Sequence, residues 1–128
     1  MKIVLFCFFV SSLTAFANCN YKLQNDILLY EGYHLNFGEY LEQNLKDKGF
    51  VRTSSTDQYV INSIFETKQS GHFQKAYARF DLIDSHHQII STGEETQTCL
   101  TQQCALSDAK KALVGSINKF IKNTKKCL

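Results

Sequence analysis

Apolar positions change their spacing several times along this chain, and each change marks an element. Asp26–His34 (DILLYEGYH) is apolar and aromatic and predicts a strand. Phe37, Tyr40, Leu41 and Leu45 then recur at helical spacing, which predicts a helix over Phe37–Lys48. Asn36 stands where its N-cap belongs, with Glu39 as capping-box partner, and Gly49 stands where a left-handed C-cap belongs. Phe50–Thr53 is a short strand candidate, and Tyr59–Thr67 (YVINSIFET) is rich in β-branched and aromatic residues. After a turn over Lys68–Gly71, His72–Asp84 alternates. Ala76, Ala78, Phe80 and Leu82 share one face; Lys75, Tyr77, Arg79 and Asp81 share the other. Ser85-His86-His87 reads as a turn, and Gln88–Thr98 as the last strand.

The final apolar pattern is helical again. It runs from Leu106 or Ser107 to Lys125, with Ser107 as a cap. Ala109, Leu113, Ile117, Phe120, Ile121 and Thr124 fall on one side. Lys111, Lys119, Lys122, Lys125 and Lys126 fall on the other, the last three where the helix dipole favours cations. The predicted order is β-α-β-β-β-β-α. This is an α+β fold with an antiparallel sheet of four to five strands packed with two helices.

The start of the chain is patterned differently. Lys2 is followed by the unbroken apolar run Ile3–Val10 and by the A-x-A site Ala15-Phe16-Ala17. This is the build of an export leader over residues 1–17, too short to span a bilayer. The remainder, 18–128, has the size of one domain. A lipoprotein leader needs a small residue directly before its cysteine, and Asn18 precedes Cys19. The expected location is therefore periplasmic or secreted.

Export changes how the cysteines are read. Cys7 lies in the leader, leaving Cys19, Cys99, Cys104 and Cys127. An even number in an oxidising compartment predicts two disulfides, and four cysteines allow three pairings. The favoured one joins Cys99 to Cys104 across a short polar loop and Cys19 to Cys127 at the chain ends. Zinc is disfavoured because the spacing lacks paired C-x-x-C units.

The net charge is only +2, but it is unevenly placed. Lys110, Lys111, Lys119, Lys122, Lys125 and Lys126 follow Ala105, against the single acid Asp108. The lysine face is a candidate patch for an anionic lipid, glycan or acidic protein, with Lys111, Lys119, Lys122 and Lys126 as its contact residues. Tyr77 and Arg79 on the alternating strand are a second candidate contact. Nucleic acid is a poor fit for an exported chain.

Catalytic signatures are missing from the sequence. It has no G-x-S-x-G elbow, phosphate-binding glycine loop or H-E-x-x-H. Glu94 and Glu95 are strand neighbours that face opposite sides, so they cannot flank one bond. His86 and His87 point apart and have no third ligand at fixed spacing, so no metal and no cofactor is expected.

The central run is similar to the small α/β domain of bacterial envelope proteins. That group includes penicillin-binding-protein activator lipoproteins, the curli secretion lipoprotein and the amino-terminal domain of the Tol-system propeller protein. The resemblance rests on Tyr59-Val60-Ile61-Asn62, Arg79-Phe80-Asp81-Leu82-Ile83-Asp84 and Gln88-Ile89-Ile90-Ser91-Thr92-Gly93-Glu94, and covers residues 36 to 122. The chain departs from that group at His86-His87, where a turn glycine is usual. The resemblance implies an envelope setting and partner binding as the usual role. The resulting expectation is a non-enzymatic exported module for an envelope protein or an anionic envelope surface. The alternative is a secreted inhibitor or effector of a host or competitor protein.

Overall fold

A computed structural model describes residues 19–25, 27–30, 32–54, 58–99 and 104–127, with backbone only at Leu29 and Ser70. The expected leader and the segment 100–103 inside the short cysteine loop lie outside them. The elements are β1 (Cys19–Leu23), β2 (Ile27–Tyr30), β3 (Tyr33–Asn36), α1 (Gly38–Lys46), β4 (Phe50–Arg52), β5 (Tyr59–Ser70), β6 (Phe73–Asp84), β7 (Ile89–Thr98) and α2 (Leu106–Asn123).

Among the described residues the fold is α+β with two helices, as expected, but the sheet is mixed. Its five strands run in the order β4-β1-β5-β6-β7. β5, β6 and β7 form the expected antiparallel meander. β1 instead pairs in parallel with both β4 and β5. A parallel pair needs a long crossover, and α1 supplies it between β1 and β4. The expectation missed β1 because its CNYKL sequence carries only two buried side chains, Tyr21 and Leu23.

The single strand expected over Asp26–His34 is two strands. Gly32 adopts φ +82°, which reverses the chain and pairs Ile27–Tyr30 with Tyr33–Asn36 in a separate hairpin. That hairpin packs on the helix side of the sheet. The Tyr30 ring meets Phe65 edge-on at 5.7 Å, and its hydroxyl donates to the Cys104 carbonyl.

Both helices cover one sheet face. α2 packs on β6 and β7, and α1 packs beside it near β4. Phe37, Leu41 and Leu45 meet Ala112, Leu113, Ile117 and Phe120 over Tyr21, Ile61, Phe80 and Leu82, all buried. Phe80 lies at the centre, with ring centroids 5.2 Å from Phe37 and 6.2 Å from Phe120. The alternation read from β6 holds: Ala76, Ala78, Phe80 and Leu82 are buried under the helices.

The helix ends differ from expectation. α1 begins after Phe37 with no side-chain cap, because Asn36 is still paired in β3 opposite Ile27. Gly49 does follow the helix at φ +84° and donates its N–H to the Lys46 carbonyl at 3.0 Å. α2 takes Ala105 rather than Ser107 as its N-cap, and the Asp108 carboxylate accepts the Ala105 N–H at 3.1 Å.

α2 stops at Asn123, short of the expected Lys125, because its C-terminus is held from several sides. Lys48 donates its ammonium to the carbonyls of Ile121 and Thr124. The Thr124 hydroxyl donates to the Phe120 carbonyl at 2.7 Å, so Ser91 must donate to Thr124 at 2.7 Å. Asn123 donates to the Thr92 carbonyl at 2.9 Å.

Both disulfides take the favoured pairing. Cys19–Cys127 and Cys99–Cys104 have Cα separations of 5.9 and 5.1 Å. The first ties β1 to the end of the chain. The second is stitched to β6 by Gln74, whose side-chain oxygen accepts the Cys104 N–H at 2.7 Å and whose carbonyl accepts the Cys99 N–H at 2.9 Å.

Candidate functional site

Strand register decides which side chains share the sheet face opposite the helices. On β6 these are Phe73, Lys75, Tyr77, Arg79, Asp81 and Ile83. β5 sets Ile64 opposite Arg79 and Glu66 opposite Tyr77. β7 sets Glu94 opposite Arg79 and Thr92 opposite Asp81. Among the described residues, no helix packs on this face.

The polar groups of the face hold one another in place. Arg79 Nε donates to both Asp81 oxygens, at 2.9 and 3.1 Å, and Thr92 donates to the same carboxylate at 2.7 Å. Asp81 is only 5% exposed, so this pairing compensates a nearly buried charge. The bond to Asp81 pushes the Arg79 pKa further up, and the Arg79 side chain stays 33% exposed. Tyr77 donates its hydroxyl to Glu94 at 2.6 Å, and that bond holds the phenol protonated beyond its usual range. Lys68 pairs with Glu66 at 3.1 Å and lies 5.4 Å from the centre of the Tyr77 ring.

Exposed apolar side chains share the face with these polar groups. Val51, Ile64, Phe73 and Ile89, at 39, 39, 49 and 54% exposure, all lie on it by register. The result is an aromatic and a guanidinium, both locked in orientation, among exposed aliphatic and aromatic side chains. Such a surface can bind by shape and hydrogen bonding. No group of three or more metal-ligating side chains occurs among the described residues.

The other predicted contacts do not form a single patch. Lys111 and Lys122 lie on the outer face of α2, both exposed. Lys119 is turned toward the sheet and pairs with Glu95 at 2.8 Å, across Gly115. Lys126 is not helical, since α2 ends at Asn123, and it lies in the segment tied down by Cys127. The four lysines expected on one helix face are therefore divided among three settings.

Thr92 and Ile64 were not singled out from the sequence, and Glu94 was weighed only as a carboxylate neighbour of Glu95. Alternation identified the β6 face, but partners on β5 and β7 follow from register, which the sequence pattern left open. Glu94 and Glu95 do face opposite sides, the first bonding Tyr77 and the second Lys119. The His86-His87 turn is exposed and wrapped around Asp84, whose carboxylate accepts the N–H groups of His86 and Gln88 at 2.9 and 3.0 Å.

No family model matches this chain, and no curated protein shows significant similarity to it. No described helix is long and apolar enough to cross a membrane.

Proposed function

We propose that this chain is an exported, non-enzymatic binding module, and that the uncovered sheet face centred on Tyr77 and Arg79 receives an envelope protein. The observation that carries the reading is the locked Tyr77–Glu94 and Arg79–Asp81–Thr92 network amid exposed Ile64 and Phe73. Buried aromatic and arginine anchors dominate protein interfaces, and anchors held in place before binding lose less entropy on binding. The leader-like start, the paired cysteines and the resemblance to envelope domains support the setting. Lys111 and Lys122 would add electrostatic steering rather than the main contact.

The test is capture from an envelope extract of the source cell, comparing the wild type with Ile64→Asp and with Tyr77→Ala. One protein held by the wild type at physiological salt and lost by both folded variants is the predicted result. Equal retention by all three would remove the sheet face as the site.

A further inference from the structure

The pole joined by the Cys19–Cys127 disulfide carries a second amphipathic surface, which shares Ile89 with the edge of the sheet face. β7 begins there with Ile89 and Ile90, 54 and 49% exposed. An unbroken ladder would pair Ile83 with Ile90 on the open face, but here the ladder shifts by one residue. Leu82 pairs with Ser91 and Ile83 with Ile89, so Ile90 is the extra residue of a bulge. Ile89 emerges on the open face. Ile90 emerges on the helix side, where it lines a recess of about 490 Å³ with Phe50, Tyr59, Lys125 and Lys126.

Lys125 and Lys126 line the same recess as Ile90. Because α2 stops at Asn123, Lys125 and Lys126 lie exposed in an extended segment, with Lys122 exposed on the last helical turn. The carboxylate of Asp84, at the end of β6, is engaged by the turn N–H groups of His86 and Gln88. Asp47, just after α1, is flanked by Lys46 and Lys48. The Cys19–Cys127 disulfide holds the start of the fold at the same pole.

We propose that this pole is a peripheral contact for an anionic phospholipid bilayer. Ile89 and Ile90 enter the headgroup layer, while Lys122, Lys125 and Lys126 meet lipid phosphates. Apolar insertion and electrostatic attraction are each weak alone and act together at one site. The proposal does not depend on the sheet-face reading, since the two surfaces share only Ile89 and neither Tyr77 nor Arg79 takes part in this one.

The test is vesicle flotation of the oxidised, exported protein at physiological salt. Phosphatidylcholine vesicles are compared with phosphatidylcholine vesicles containing phosphatidylglycerol. The wild type should float with the phosphatidylglycerol vesicles only. Lys125→Glu/Lys126→Glu should lower that affinity about 30-fold or more. Ile89→Ser/Ile90→Ser should lower it about tenfold. Lys111→Glu, at the far end of α2, should change it by no more than about twofold. All these side chains are exposed, and unchanged melting temperatures would confirm folded variants. Absent flotation, equal flotation with neutral vesicles, wild-type binding by either double variant, or an equal loss with Lys111→Glu would overturn the proposal.

Discussion

Gly93 on β7 lies directly beneath the backbone of Phe120 on α2: a Cβ at Gly93 would stand 2.1 Å from the Phe120 nitrogen and 2.4 Å from the Ser116 carbonyl oxygen. Backbone rather than a flexible side chain occupies that space, so the helix itself would have to lift. Gly93→Ala should cost about 3 kcal/mol or more and lower the melting temperature by about 10 °C or more. Calorimetry of the two proteins checks this. A shift within a degree or two would mean that α2 does not sit this close to the sheet.

The two disulfides should differ in weight. Cys19–Cys127 spans 108 residues of sequence and Cys99–Cys104 spans 5. In the chain-entropy model the first contributes about 4 to 5 kcal/mol and the second about 2. Denaturant unfolding of Cys19→Ser/Cys127→Ser and Cys99→Ser/Cys104→Ser should rank them in that order. The reverse ranking would show that native packing of the short loop, through Gln74 and Tyr30, outweighs loop closure.

Tyr21 is fully buried, and its hydroxyl has no hydrogen-bond partner among the described residues. Burial, helped by the charge of Glu42, pushes its pKa up to about 12. The folded value thus exceeds the unfolded value of about 10. The unfolded chain ionises first, so full stability holds below about pH 10 and falls as pH rises toward about 12. The loss should be of order 2 kcal/mol and should vanish in Tyr21→Phe. At neutral pH the same substitution should leave stability unchanged or raise it by about 1 kcal/mol, since it removes an unsatisfied buried hydroxyl. Urea unfolding at neutral and alkaline pH tests both statements. An alkaline loss that persists in Tyr21→Phe would assign it to another group.

The β6–β7 turn holds His87 at φ +62°, a conformation that favours glycine. Relief of that strain, less the extra chain entropy of glycine, predicts that His87→Gly stabilises by about 0.5 kcal/mol. A destabilised His87→Gly would mean that the imidazole makes a contact worth more than the strain.

Much of this arrangement was readable in the sequence where one residue's neighbours decide it. The β6 alternation sorted Tyr77 and Arg79 from Phe80 and Leu82, and the apolar stripe of α2 named Leu113, Ile117 and Phe120 as core. Relations between distant segments were not readable. A turn over Lys68–Gly71 would pair Thr67 with His72 and set Tyr77 opposite Asn62. The actual strands run to Ser70 and Phe73 around Gly71 at φ +62°, which sets Tyr77 opposite Glu66. The same holds for α2: its periodicity continues through Thr124, but Lys48, Ser91 and Cys19 end it from other parts of the chain. That early stop takes Lys125 and Lys126 out of the helix, so the expected lysine face keeps only Lys111, Lys119 and Lys122 on α2.

The central claim is that the uncovered sheet face receives the partner. Hydrogen–deuterium exchange of the oxidised protein, alone and with its captured partner, tests this most directly. New protection should concentrate on β5 and β6 around Ile64, Tyr77 and Arg79, with α2 unchanged. Protection confined to the outer face of α2 around Lys111 and Lys122, with β5 and β6 unaltered, would contradict it.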